Sequence, residues 1–266
     1  MDTIKKLVLG ELNLINNELA DIEANNYLIF EDLKKFLNGK SKRIRSLITI
    51  LYLKANNISI SDDIIKLLSA CELIHNASLL HDDVVDDSPL RRGMQTLYNK
   101  YSSKLSVISG DYILSIAVEN LIKLNNNEIL NLFFNTVKNM SEAEISQYFS
   151  RNSDVTFENY LEIIQGKTSS LFAACMQAAA ILTGLDVNKA EKFGKIFGLI
   201  FQINNDLESE SAKNDNKNGV KTAVDILGIE KTLALKDNYK EELREILTRF
   251  PNNRYTNGIK DLISLL

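Results

Sequence analysis

The sequence predicts an all-α fold, and three observations carry that expectation. Only two prolines, Pro89 and Pro251, and 11 glycines occur in 266 residues, too little punctuation for many short strands joined by tight turns. Apolar residues recur at three- and four-residue spacing in IIKLLSACELIHNASLL (64–80) and NEILNLFFNTVKNMSEAEISQYF (127–149), the pattern of helices that turn one face to a core. With 45% hydrophobic and 25% charged residues, the chain can bury a sizeable core without disulfide or metal staples, which excludes a disordered chain. No Pro/Gly/Ser-rich linker divides it, so one domain spanning 1–266 is expected.

The N-terminal MDTIKKLVLGELNLINNEL alternates charge with apolar residues and has neither the continuous apolar region nor the cleavage site of a secretory signal, so a cytoplasmic protein is expected. Next, GKSKRIRS (39–46) sets Lys42, Arg43 and Arg45 ahead of an apolar run. This reads as a basic helix start with Lys42 and Arg45 three apart on one face, an arrangement the helix dipole disfavours unless an anion binds there. SLITILYLKANNISI (46–60) is rich in isoleucine and by residue preference suits a buried strand, but no partner strand is apparent and it is assigned to helix. A helix then runs from near Asp62 through Asp86, with Pro89 marking its end.

LFAACMQAAAILTG (171–184) falls short of the roughly 20 residues a bilayer span requires; it reads as a buried helix, and no transmembrane segment is expected. AKNDNKNGVKT (212–222), polar and aperiodic, reads as a surface loop. Cys71 and Cys175 stand singly in apolar stretches, without the spacing of a zinc or redox motif, and are assigned to the core. A net charge of -4 gives no global basic field, so nucleic acid is not an expected partner and anions must be met by local clusters.

One such cluster is LLHDDVVDDSPLRRG (79–93), in which four aspartates within six residues precede two adjacent arginines. At roughly 100° per residue Asp82 and Asp86 share one helix face. His75, seven residues before Asp82, shares that face nearly two turns away. The last turn of a helix already carries partial negative charge, so aspartates are ill-placed there. The plain reading is a solvated acidic helix end; the functional reading is a site for a hard cation. Mg2+ is commonly held by one or two carboxylates together with substrate phosphates, and guanidinium forks bind phosphate oxygens in pairs, which gives Arg91 and Arg92 a purpose.

The longer run LIHNASLLHDDVVDDSPLRRG (73–93) resembles the first aspartate-rich motif of the trans-polyprenyl (isoprenyl) diphosphate synthases, DDxxD followed closely by RRG. The resemblance implies the isoprenoid synthase fold, a single large helical bundle around a central apolar cavity. It also implies that Asp82 and Asp86 hold Mg2+ on an allylic diphosphate, that Arg91 touches that diphosphate, and that Arg92 touches the diphosphate of isopentenyl diphosphate. GKSKRIRS is similar to the family's GGKRxRP segment, which assigns Lys42 and Arg45 to isopentenyl diphosphate, with His75 completing the grip. His81 has no such counterpart and is left structural. GKTSSLF (166–172) resembles the family's KT segment and gives Lys167 and Thr168 the allylic diphosphate and neighbouring carbocation.

FQINNDLES (201–209) is similar to the second motif, FQxxDDxxD. Gln202 and Asp206 fit it, Gln202 as a catalytic and substrate-binding residue and Asp206 as a metal ligand. Asn205 and Ser209 replace the first and last aspartates, so metal should be held more weakly there. DNKNGVKT (215–222) stands where the family has DxxxGKxT, with Val220 at the lysine position and Lys221 one residue late.

By this resemblance the chain is a prenyltransferase that condenses isopentenyl diphosphate head-to-tail with an allylic prenyl diphosphate, using three Mg2+ ions per active site, and is a homodimer. Ala77 and Ser78 lie just upstream of Asp82, where bulky aromatics in the family stop the product early, so a chain of C20 or longer is expected. Two rivals remain. Asn205, Asp206 and Ser209 also resemble the start of NDxxSxxxE, the metal motif of class I terpene cyclases, but Lys213 occupies the position of its glutamate, and a charged lysine cannot ligate Mg2+. A cyclase also has no use for Lys42, Arg45, His75 and Arg92. A low-activity subunit of a heteromeric synthase would explain the altered second motif; the intact first motif argues against it.

Overall fold

The computed structural model describes residues 1–21, 27–39, 41–91, 93–208 and 218–266, and among these the regular structure is helical apart from one two-stranded hairpin. Its internal contacts form two compact units. One comprises residues 8–50 and 59–130; the other comprises 1–7, 51–58 and 131–266.

The axis of the first unit is α5 (Asp62–Val85), packed against α2 (Leu9–Ala20) and α7 (Ser103–Ile122). Ser61 starts α5 by accepting a hydrogen bond from the Ile64 N–H, and Asp62 and Asp63 suit the positive end of the helix dipole. Apolar residues run right round it: Leu67, Leu68, Cys71, Ile74 and Leu80 are all buried. That pattern makes α5 a central helix, not a surface one, and each such leucine or isoleucine stabilises the unit by about 1.5–3 kcal/mol relative to exposure. Around it lie α3 (Leu28–Asn38), the first half of α4 (Ile44–Ala55) and the short α6 (Leu97–Lys100). After α5 the chain turns through Asp87, whose φ is +46°, into the antiparallel hairpin β1 (Leu90–Arg91) and β2 (Met94–Gln95). Arg92 lies outside the described residues.

Residues 46–55 are helical as expected, but α4 stops at Ala55 because Asn57 adopts φ +60°, and 58–61 is not helical. By length and composition α7, not the 171–184 run, is the helix among the described residues apolar enough to cross a membrane, with hydropathy 1.4 and a third of its window buried. Its small residues Ser106, Ser109, Gly110 and Ala117 are buried.

The second unit is built on α8 (Asn127–Phe149, from Asn131 onward), α9 (Phe157–Ile164), α10 (Ser170–Thr183), α11 (Val187–Leu207) and, after the segment 209–217 that lies outside the described residues, α12 (Ala223–Leu227), α13 (Ile229–Leu247) and α14 (Arg254–Leu265). α1 (Asp2–Lys6) also belongs here and packs on α14. α10 is buried from Leu171 to Met176 and from Ala178 to Ala180, and Cys175 is in its core, as Cys71 is in the core of α5. The core is aromatic: Phe172 packs on Phe197 and Phe201, each with ring centroids 5.5 Å apart, and Tyr52 on Phe193 and Phe250 at 5.2 and 5.3 Å. Of the expected 212–222 loop, the described part 218–222 is non-helical.

Between α9 and α10, Gln165–Ser169 forms a turn of π-helix, a local distortion that is frequent at functional sites. α11 approaches it closely, since a Cβ on Gly198 would sit 2.6 Å from the Ser169 Cα. Gly198→Ala is therefore expected to lower unfolding stability by about 1–3 kcal/mol through overpacking. A denaturation midpoint equal to that of the parent would contradict the close approach.

Candidate active site

In the first unit the four aspartates of 82–87 have different surroundings. Asp82 lies in the last turn of α5, and Asp86 is its C-terminal cap, with its N–H bonded to the Asp82 carbonyl at 2.8 Å; both side chains are partly exposed. No basic residue occupies that last turn, so the dipole's negative end is left to these carboxylates. Asp83 points the other way and is fully buried, and its Oδ1 accepts a 2.6 Å hydrogen bond from Arg91 Nε. Asp87 is exposed in the turn and accepts from the Tyr98 hydroxyl at 2.7 Å. Arg91, expected to touch the allylic diphosphate, is thus anchored through its inner nitrogen to the one aspartate that solvent does not reach.

Lys42 and Arg45 do not share a helix face. Arg43 has φ +48°, and α4 begins only at Ile44, so Lys42 stands in the preceding segment, exposed, while Arg45 is in the first turn, 6% exposed. The left-handed residue between them breaks the periodicity that the sequence reading assumed. His75 is partly exposed on α5; two residues on, Ala77 is buried, and the Ser78 hydroxyl donates to the His75 carbonyl. His81 has a partner that the sequence did not reveal: its Nε2 lies 3.2 Å from Asp111 on α7.

In the second unit the π-turn presents Lys167 and Thr168. Lys167 is ion-paired with Glu144 and donates to Gln147 Oε1 at 2.7 Å, both on α8. The Thr168 hydroxyl donates to Gln202 Oε1 at 2.9 Å, and Gln202 Nε2 donates to Asp206 Oδ1 at 2.8 Å. Asp206 is 2% exposed, and its Oδ2 accepts from the Tyr160 hydroxyl at 2.7 Å and from the Ala223 N–H at 2.8 Å. Burial pushes its carboxyl above the usual range, against the opposing effect of these three donors. Asn205 is partly exposed beside it, and Lys221 is exposed before α12; Ser209 and Lys213 lie outside the described residues.

Residues 27–262 match the Polyprenyl synthetase family. The chain belongs to that family. Among relatives of the polyprenyl synthetases, the octaprenyl diphosphate synthase of Haemophilus influenzae is 34% identical over 217 residues, 80% of this chain and 66% of its own length. The decaprenyl-diphosphate synthase of Dictyostelium discoideum is 38% identical over 171 residues, 63% of this chain and 37% of its own. The chain therefore spans less than two thirds of the length of these curated relatives. The solved polyprenyl synthase of Caulobacter crescentus, complexed with calcium and isoprenyl diphosphate, superposes with a TM-score of 0.88 at 26% identity, covering 98% of this chain and 95% of that one. The heptaprenyl diphosphate synthase of Staphylococcus aureus gives 0.89 at 21% identity, over 96% of each chain. The isoprenoid synthase fold expected from the sequence is thereby established.

Membership in the polyprenyl synthetases implies dependence on a divalent metal, and the donor sets differ in how well they fit one. Asp82 and Asp86, two partly exposed carboxylates a turn apart, suit a hard cation that keeps waters and phosphates as its other ligands. Asp206 already accepts three hydrogen bonds through its two oxygens, so it meets a metal only by giving some of them up. Among the described residues no group of three or more His, Cys, Asp or Glu is gathered to hold a metal by protein alone.

Sequence reasoning missed Glu144, Gln147 and Tyr160. Glu144 and Gln147 are three apart on α8 and so share a face, which is the one signal available; Tyr160 gave none. Because Asp206 is an acceptor only, an amide in its place would turn a donor toward a donor. Asp206→Asn is expected to cost about 1–3 kcal/mol of stability. An unchanged urea midpoint would mean that these three bonds are not made.

Proposed function

We propose that the chain is a trans-polyprenyl diphosphate synthase, a single catalytic domain over 1–266 that condenses isopentenyl diphosphate head-to-tail with an allylic prenyl diphosphate. One observation carries this reading: the unit that ends α5 in Asp82 and Asp86 also contains the basic segment with Lys42 and Arg45, so two chemically distinct anion-recognition sets occur together. The octaprenyl, decaprenyl and solanesyl diphosphate synthases among its relatives support it. A cyclase takes one diphosphate and has no use for the second set.

In this mechanism Asp82 and Asp86 hold Mg2+, whose charge, when bound, would offset that developing on the departing diphosphate. Arg91, fixed by Asp83, and Lys167 with Thr168 bind and orient the same group, an electrostatic role that needs no proton transfer. Lys42, Arg45, His75 and Arg92 hold isopentenyl diphosphate, whose double bond adds to the allylic carbon as its carbon–oxygen bond breaks. The released diphosphate takes the proton, so no side-chain base is required. Gln202 orients Thr168 through the 2.9 Å hydrogen bond between them. The family's three Mg2+ ions remain part of the proposal, with Asp206 as a further ligand and Asn205 and Ser209 as the weaker contributors.

Ala77, buried on α5 five residues before Asp82, leaves room for a product of C20 or longer, with Ser78 beside it. Homodimerisation is supported by exposed apolar side chains on α7 (Ile108, Ile122) and on α8 (Phe134, Ile145, Phe149). A cytoplasmic location completes the proposal, since α7, for all its apolar composition, packs on α5.

The test is one incubation of the protein with Mg2+, labelled isopentenyl diphosphate and allylic primers of several lengths. Elongated prenyl diphosphates are expected. Cyclic hydrocarbon from primer alone would assign the chain to the cyclases, and no product at all to an accessory subunit. Asp82→Ala should lower kcat/KM by at least about a hundredfold to a thousandfold while circular dichroism stays unchanged; retained activity would remove the metal assignment. Ala77→Phe should shorten the product as read by mass spectrometry, and an unaltered length would place the stop elsewhere.

A further inference from the structure

Beside the segment that carries Lys42 and Arg45 lies a buried ionic network to which nothing above assigns a task. Arg43, 5% exposed, has its NH1 3.4 Å from Glu72 Oε2, with the Glu72 side chain only 2% exposed. Its Nε donates to Asn16 Oδ1 at 3.2 Å on α2, and its NH2 donates to the Leu37 carbonyl at 2.5 Å in α3. The other Glu72 oxygen accepts from the Ser46 hydroxyl at 2.7 Å and lies 3.4 Å from the Ser46 N–H. Four helices of one unit are thereby tied through two side chains.

A buried ion pair is a poor device for stability, because desolvating two charges cancels most of their attraction, and apolar residues of the same volume often do as well. It is a good device for geometry. Arg43 sits at φ +48°, a conformation that costs a branched or long side chain about 1–2 kcal/mol. Its carbonyl nevertheless accepts the Leu47 N–H at 2.8 Å, so this strained residue opens α4. The strain persists because the guanidinium is held at three points, and it sets Lys42 outside the helix and Arg45 inside its first turn. Glu72 itself is one turn before His75 on α5.

We infer that the Arg43–Glu72 pair is a positioning device for the second diphosphate, holding Lys42 and Arg45 in fixed register with His75. The inference rests on the reading that these three residues bind isopentenyl diphosphate. Neither Arg43 nor Glu72 touches substrate in this scheme; both act through their neighbours.

Steady-state kinetics of the full chain test it. Glu72→Gln keeps the shape and the Ser46 contact but removes the charge opposite Arg43. KM for isopentenyl diphosphate is expected to rise by about tenfold to a hundredfold, as for a displaced binding group, with kcat and the allylic KM within about twofold. Should that variant fail to fold, Ser46→Ala, which deletes one hydroxyl bond and leaves the ion pair, is expected to raise the same KM by a smaller factor. A lowered melting temperature with both KM values unchanged, or both KM values rising together, would overturn the inference. Lys42→Ala separates the two levels. If it raises KM for isopentenyl diphosphate and Glu72→Gln does not, the positioning role falls and the binding reading stands; if it changes nothing, both fall.

Discussion

A helix of 24 residues that ends in carboxylates sets the terms for the rest of this structure. The C-terminal end of α5 already carries roughly half a negative charge from its peptide dipoles, and Asp82 and Asp86 add to it. Left to itself such an end frays or recruits a lysine. Here the last turn contains no basic residue, and the nearest arginine along the chain, Arg91, is committed to Asp83. In the proposed function a divalent cation carrying phosphates is the species that relieves this excess of negative charge.

Under the proposed function the charged residues divide into those that meet substrate and those that hold them still. Asp83 and Glu72 are both essentially buried, and each grips an arginine: Asp83 holds Arg91, which the proposed mechanism uses, and Glu72 holds Arg43, which sits between two residues that it uses. In both cases the costly burial of charge secures direction more than stability. The proposed carbocation chemistry makes this worthwhile, since groups that had to reorganise as the carbon–oxygen bond broke would lose the electrostatic advantage of being in place beforehand. Buried carboxylates thus serve the exposed ones.

How much of this was legible in the sequence follows from the range of the signals. The extent of α5 was readable to within a residue, because a cap, an apolar period and Pro89 are local, and the shared face of Asp82 and Asp86 needs only helical spacing. The family motifs added the fold and most of the candidate residues. What could not be read are contacts across long stretches of chain: Arg43 to Glu72, Lys167 to Glu144, Tyr160 to Asp206. Periodicity has no access to a partner 23 to 46 residues away. The misplacement of Lys42 on a helix face has the same origin, since the positive φ of Arg43 is imposed by partners on α2, α3 and α5, not by its neighbours.

The second motif takes on a different character in this light. Replacing two aspartates by Asn205 and Ser209 removes negative charge from the sequence FQINNDLES, and the one aspartate left is turned inward to Tyr160, Gln202 and the start of α12. Burial raises its proton affinity while three donors lower it, and the former prevails. Its hydrogen bonds also run through Gln202 to Thr168 on the π-turn, so Asp206 is the root of a continuous polar strut. In the proposed function this strut orients Thr168 by hydrogen bonding.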